Sequence, residues 1–109
     1  MKVKLGVSLL GLKLEMKPVM EIVEVAFQCL SGRESVITSG TETQSGVLNS
    51  QHMAGSYHYF GYALDFRIRH VQVDVVKKIV ESIRKKLAEI SVKYKVVLED
   101  THIHIQYSV

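Results

Sequence analysis

A chain of 109 residues has room for one domain, and at that size roughly two-thirds of the unfolded surface is buried, enough for one core without cross-links. With 47% apolar and 23% charged residues the composition is that of an ordinary globular protein, and a net charge of +3 is too small to argue for a polyanionic partner. The single cysteine, Cys29, excludes an internal disulfide framework, and no apolar run approaches the 18 or so residues of a membrane span.

Lys2 and Lys4 precede the apolar run LGVSLLGL, which has the look of a secretory leader. Lys13, Glu15 and Lys17 follow at once, and no small-x-small cleavage site appears. The expectation is a protein that is cytoplasmic as synthesised and reaches any cell wall by another route. Residues 3–12, β-branched and leucine-rich with glycines at 6 and 11, read as a short strand followed by a turn. Pro18 then suits the first turn of a helix. Val19, Ile22, Val23, Ala26, Phe27 and Leu30 recur at helical spacing, and Gly32 stands where a C-cap is needed, so a helix is predicted over 18–31. Met16 and Met20 read as core filling, and Cys29 as a small buried residue on that helix.

Residues 36–40, VITSG, form a buried strand ending in glycine. Residues 41–55, rich in Ser, Thr, Gly, Gln and Asn, form a long loop of the kind that often carries function. Residues 62–68 alternate as a strand, with Asp65 and Arg67 on one face and Leu64, Phe66 and Ile68 on the other. A second helix is predicted over 72–90, its buried stripe being Val76, Ile79, Val80, Ile83, Leu87 and Ile90. Lys77, Lys78, Arg84, Lys85 and Lys86 fall largely outside that stripe. No aromatic residues interleave them, so they read as a solvated face and no nucleic-acid partner is expected. Tyr94 to Leu98 is a strand, Glu99–Asp100 a tight turn and His102 to Tyr107 the returning strand. This order predicts an α+β domain: a mainly antiparallel sheet with helices packed on one face.

The chemistry gathers in two stretches. In SYHYFGYALD, residues 56–65, His58 precedes Asp65 by seven positions; in THIHIQ, residues 101–106, His102 and His104 stand two apart and share a strand face. His58, Asp65 and His104 form a His/Asp/His set of the kind that holds zinc through three protein ligands. A turn at Gly61 would fold His58 back towards Asp65, and zinc there would activate a water and polarise an amide carbonyl. A His or Asp on a strand is as often a hydrogen-bonded surface residue, so spacing alone leaves both readings open. His52 and His70 read as such surface residues, although His52, in the loop, could touch substrate. Ser56 beside His58 does not read as a serine nucleophile, because no nucleophile elbow surrounds it.

Ser56, His58, Gly61, Ala63 and Asp65 match the Ser-x-His-x-x-Gly-x-Ala-x-Asp signature of zinc D-alanyl-D-alanine carboxypeptidases, and His102-Ile103-His104 matches the His-x-His that completes it. The chain thus resembles the group named after lysostaphin, D-Ala-D-Ala metallopeptidases and sonic hedgehog, above all its short single-domain phage and prophage members. ITSG at 37–40, the His-Met-x-Gly-Ser run at 52–56 and VVLE at 96–99 extend the likeness over nearly the whole chain. The resemblance implies a hedgehog/DD-peptidase-like fold and one Zn2+ per chain held by His58, Asp65 and His104, with His102 in support. It also implies a peptidoglycan peptide as substrate, cut at a D-alanine-containing amide bond, and a protein released to the cell wall or carried in a virion.

Two departures stand out. Family members commonly carry an acidic general base three positions before the last ligand, where this chain has Thr101. Asp100, which shares the face of His102 and His104 if the strand stays extended, is then the first candidate base and Glu99 the second, with His102 stabilising the oxyanion. Relatives also place a carboxylate-binding arginine shortly after the Ser-Gly that corresponds to Ser39-Gly40, where this chain has Thr41-Glu42. Arg67, beside Asp65 on the strand face, is the substitute candidate, and His52 and Ser56 complete the expected substrate contacts. A zinc-binding module that recognises a peptide or partner protein without cutting it is the alternative.

Overall fold

A computed structural model describes residues 1–42, 57–58 and 60–109. Five strands and two helices follow one another as β1 (Lys2–Val3), α1 (Lys17–Ser31), β2 (Val36–Ser39), β3 (Ala63–Arg67), α2 (Val73–Ile90), β4 (Tyr94–Leu98) and β5 (His102–Tyr107), with a short 3-10 helix, Leu14–Met16, leading into α1. The strands form one sheet in the order β1-β2-β3-β5-β4. Among the described strands the β1–β2 pair alone is parallel; β2–β3, β3–β5 and β4–β5 are antiparallel. Both helices pack against this sheet, which makes the domain α+β as expected.

The core follows from the two periodicities. Leu64 and Phe66 of β3 and Ile103 and Ile105 of β5 turn one face of the central strands inward. Val19, Val23, Ala26 and Phe27 of α1 and Val76, Ile79, Val80, Ile83 and Leu87 of α2 cover that face, with Met16 and Ile37 closing its ends. Burying side chains of this size contributes about 1.5–3 kcal/mol each against the entropy of ordering the chain. Pro18 sits in the first turn of α1, and Gly32 ends the helix at φ +69° with its N–H donating to the Gln28 carbonyl.

Several residues lie elsewhere than their pattern predicts. The strand expected in residues 3–12 is only Lys2–Val3; the segment then turns, and Thr41 N–H donates to the Ser8 carbonyl instead of a neighbouring strand doing so. Leu30 and Ile90 are exposed, each in the last turn of its helix. Cys29 is exposed rather than buried, since its position on α1 falls beyond the Val23–Phe27 stripe. The lysines and arginines of α2 are exposed, as the solvated-face reading required. No helix among the described residues is long and apolar enough to cross a membrane.

The open end of the helix layer is tied down by Glu24. Its carboxylate accepts from both the backbone N–H (2.9 Å) and the hydroxyl (2.7 Å) of Ser35, just before β2, and from Gln28 at 2.8 Å. Partial burial would raise its pKa, but the bonds from Ser35 and Gln28 outweigh it and bring the group from 4.5 down to about 2. A depressed carboxylate pKa contributes stability that is fully present above 4.5 and is lost as pH falls towards about 2. Glu24→Gln should therefore melt roughly 5 °C below the parent protein at pH 6, with the gap closing between pH 4.5 and 2 when melting is followed by circular dichroism.

Candidate metal centre

The site occupies the face of the sheet opposite the helices. β3 and β5 pair in register, with Asp65 opposite His104 and Arg67 opposite His102, so all four side chains share one face. β4 adds Val97 opposite His104. One turn further, Glu99 N–H donates to the His102 carbonyl at 2.9 Å, which carries the Val97 alternation on to Glu99.

His58 is brought to this face by the turn before β3. Gly61 N–H donates to the His58 carbonyl at 3.1 Å and Tyr62 N–H to the Tyr57 carbonyl at 2.9 Å. Gly61 has φ +82°, and a Cβ there would stand 2.3 Å from the Gly11 carbonyl oxygen, so the turn requires glycine twice over. Gly40 is equally confined: a Cβ would meet the Ser8 carbonyl oxygen at 2.2 Å. Its own carbonyl lies 3.0 Å from His58 Nδ1. A carbonyl oxygen only accepts, so Nδ1 carries the proton and Nε2 is the atom turned towards Asp65, 3.3 Å from Oδ1.

His104 is oriented in the same manner. Its Nδ1 lies 2.8 Å from Asp65 Oδ1, and its Nε2 donates to Gln106 Oε1 at 2.8 Å. Gln106 is itself set by its amide donating to Ser108 Oγ at 3.1 Å, which leaves the amide oxygen facing the ring. The rings of His58 and His104 meet edge to face, 5.2 Å between centroids. His102 turns Nε2 towards the other Asp65 oxygen, 3.7 Å from Oδ2, while Nδ1 lies 2.9 Å from the Thr101 hydroxyl.

Three imidazoles thus converge on one half-buried carboxylate. Burial alone would raise the Asp65 pKa, but hydrogen bonds from His104 and His58 outweigh it and hold the group well below the usual carboxylate range. For His104, burial disfavours the charged ring, and the two acceptors Asp65 and Gln106 more than offset it, so its pKa is raised. The Glu99 carboxylate adds a smaller contribution to that rise.

One ligand atom each from His58, Asp65 and His104 lie within 4.8 Å of one another, close enough to bind a metal ion. A tetrahedral ion with donors about 2.0–2.1 Å away separates those donors by about 3.3 Å, which is the spacing of His58 Nε2 and Asp65 Oδ1, 3.3 Å. Two imidazole nitrogens with their far nitrogens hydrogen-bonded, together with a carboxylate oxygen, are a donor set that suits zinc.

The other candidates fall into place around this centre. Arg67, Glu99, Asp100 and His102 line a groove of about 950 Å³ that begins at Asp65. β5 starts only at His102, and Asp100 lies in the bend before it, so strand alternation does not carry Asp100 onto the site face; Glu99 is the acid that pairs beside His102. His70 is remote from the centre: its Nε2 donates to the Glu34 carbonyl and its ring stacks on Phe27. His52 and Ser56 lie outside the described residues. Gln106 and the Gly40 carbonyl are site partners that residue spacing did not single out. Gln106 could have been found as the next same-face residue after His104, whereas nothing in the sequence marks a carbonyl. Comparison with known proteins returned no match: no family model, curated protein or solved structure matches the chain.

Two outcomes test this construction. Zinc at about 100 times its Kd should raise stability by about 2.7 kcal/mol, roughly 10 °C in Tm, and Asp65→Ala should abolish the gain, read by differential scanning calorimetry. Gly61→Ala should cost more than about 2 kcal/mol in urea unfolding, against about 1 kcal/mol for Gly6→Ala, where φ is +90° but nothing lies within 4 Å of the added methyl.

Proposed function

We propose that this chain is a zinc-dependent peptidase that hydrolyses a D-alanine-containing amide bond in peptidoglycan stem peptides. The observation that carries the reading is the convergence of His58, Asp65 and His104 on an open sheet face with an acid and a further histidine beside them. The sequence likeness to zinc D-alanyl-D-alanine carboxypeptidases supplies the substrate class, and the extracellular destination follows from it.

Zinc bound by these three residues would polarise the substrate carbonyl and make a nearby water nucleophilic at neutral pH. The chain's own groups do the rest. Glu99, beside His102 and electrostatically coupled to His104, accepts the proton of the attacking water and passes it to the leaving amine. Asp100, also lining the groove, is the second candidate for that task. His102, with one nitrogen held by Thr101, turns the other towards the centre and donates to the oxygen that becomes negative. Gly40 and Gln106 keep the two ligand rings from rotating.

A zinc module that binds a peptide without cutting it is the second reading, and two observations favour it. Thr101, which stands where relatives carry the base, is engaged with His102. Glu42, in the stretch where relatives carry an arginine, has its carboxylate occupied by Ser8 N–H, Gly40 N–H and the Ser39 hydroxyl.

The deciding experiment is mass spectrometry of purified muropeptides incubated with zinc-loaded protein and with a chelated control. Chelator-sensitive loss of terminal alanine or conversion of cross-linked dimers to monomers is the expected result. Glu99→Gln should lower kcat by about 100-fold or more with zinc content unchanged, and Asp100→Asn by much less. The reverse order would make Asp100 the base. Unchanged muropeptides from protein carrying one zinc per chain would leave the binding module as the account.

A further inference from the structure

The turn that carries His58 also borders a second cavity, of about 540 Å³, whose residues the proposed hydrolysis does not use. Tyr57, Phe60 and Tyr62 of that turn line it, together with Leu10, Lys13 and Val109. Its walls are tied to one another. Thr41 Oγ1 donates to the Leu10 carbonyl at 2.6 Å, Lys13 N–H donates to the Gly61 carbonyl at 3.0 Å, and the Tyr62 ring stacks on Tyr107 at 6.2 Å between centroids. The lining side chains are nevertheless left without partners. Phe60, Leu10 and Val109 are 57%, 87% and 69% exposed. Among the described residues, neither the Tyr57 nor the Tyr62 hydroxyl has a hydrogen-bond partner, and no carboxylate lies within ion-pair distance of Lys13, whose ammonium stands 5.9 Å from the centre of the Tyr62 ring. No acidic residue is among the described residues that line the cavity.

Three aromatic rings, two phenol hydroxyls, one ammonium and two aliphatic side chains define the chemistry of an occupant. A second copy of the chain or a lipid surface would cover Leu10 and Phe60, but would bury the hydroxyls and the ammonium unpaired, at about 1–3 kcal/mol each. A sugar uses every group. One face of a pyranose ring presents C–H bonds that pack on the negative face of an aromatic ring. Its hydroxyls pair with the phenol O–H groups and with the ammonium. An acetamido methyl takes apolar surface of the kind Leu10 and Phe60 supply, which a plain hexose would leave in water. The volume falls within the range of about 300–1,000 Å³ that small-molecule sites occupy. Position adds to this. Tyr57 and Tyr62 stand one and four residues from His58, so no more than about 14 Å of backbone separates them from a metal ligand. A peptide of about four residues has that reach, so a sugar in the cavity and an amide bond at the metal centre can belong to one substrate.

We propose that the cavity lined by Tyr57, Phe60, Tyr62, Leu10 and Lys13 seats an N-acetylated sugar of the glycan strand while the attached peptide reaches the metal centre. This rests on the reading of peptidoglycan as the substrate and deepens it: the polymer is held at two points, sugar and peptide, by the two sides of one turn. Gly61, which has no room for a side chain against Gly11, keeps those two points in fixed relation.

The test titrates zinc-loaded protein with a tetramer of N-acetylglucosamine, which carries no peptide, and with cellotetraose, which carries no acetamido group. Affinity is read by calorimetry and the contact surface by amide chemical shifts. Circular dichroism and zinc content show that the variants Phe60→Ala and Tyr62→Phe are folded and loaded. The parent should bind the acetylated tetramer at least about tenfold more tightly than cellotetraose, and each variant should lose about tenfold for the acetylated tetramer. No measurable binding, equal affinity for the two tetramers, or binding untouched by both variants would each overturn the assignment. Absence of sugar binding together with a dimer, or with association to phosphatidylglycerol vesicles, that Phe60→Ala abolishes would give the cavity to a second copy or to a lipid surface instead. Sugar binding that needs Phe60 and Tyr62 while muropeptides stay uncut would uphold the sugar seat and remove the peptidase reading. Cleavage of muropeptides without sugar binding would do the reverse, so the two claims fail separately.

Discussion

The pairing of β3 with β5 governs both halves of this molecule. Residue by residue, Leu64 meets Ile105 and Phe66 meets Ile103 on the helix side, while Asp65 meets His104 and Arg67 meets His102 on the open side. Because side chains alternate with period two, a slip of one residue would send Asp65 into the core and Phe66 into water. The hydrophobic layer therefore does more than stabilise the domain. The four buried residues lock the register, and the register sets Asp65 within hydrogen-bond distance of His104. Stability and site geometry are consequences of one constraint.

Around that pair the chain places a second ring of contacts that aim ligands rather than supply them. The Gly40 carbonyl holds His58, the Gln106 amide holds His104 and Thr101 holds His102. Each leaves one imidazole nitrogen directed at Asp65. A half-buried carboxylate facing three imidazoles is a costly arrangement unless protons or a cation sit among them. The downward shift of Asp65 and the upward shift of His104 express that same preference for positive charge at the centre. A metal ion satisfies it most fully.

The loop contacts at the rim serve the same end by a different route. Among the described glycines, Gly40 and Gly61 are the two positions where a side chain would collide with the N-terminal segment, at Ser8 and Gly11. Residues 8–11 therefore act as a floor on which the segments carrying Gly40 and His58 are laid. The short N-terminal stretch that looks featureless as sequence is a packing surface for the segments that carry the candidate metal centre.

Much of this was legible in the amino-acid order. Period-two and period-3.6 patterns are local, so the helices, the central strands and the face carrying Asp65, His102 and His104 could be read from neighbouring residues. The His-x-His pair and the His58–Asp65 spacing pointed to the three side chains that the structure brings together, although spacing alone left a surface role equally open. What the patterns overreached on were helix ends: Leu30, Ile90 and Cys29 continue or flank a buried stripe in the last turns of their helices, yet all three are exposed. Only the tertiary structure decided that Gly40, 18 residues before His58, would orient it, that Glu99 rather than Asp100 would pair beside His102, and that Arg67 would have no acid to neutralise it among the described residues. Those outcomes depend on strand register, on where a turn begins and on which loop rests against which, quantities set by contacts between distant residues that no local pattern encodes.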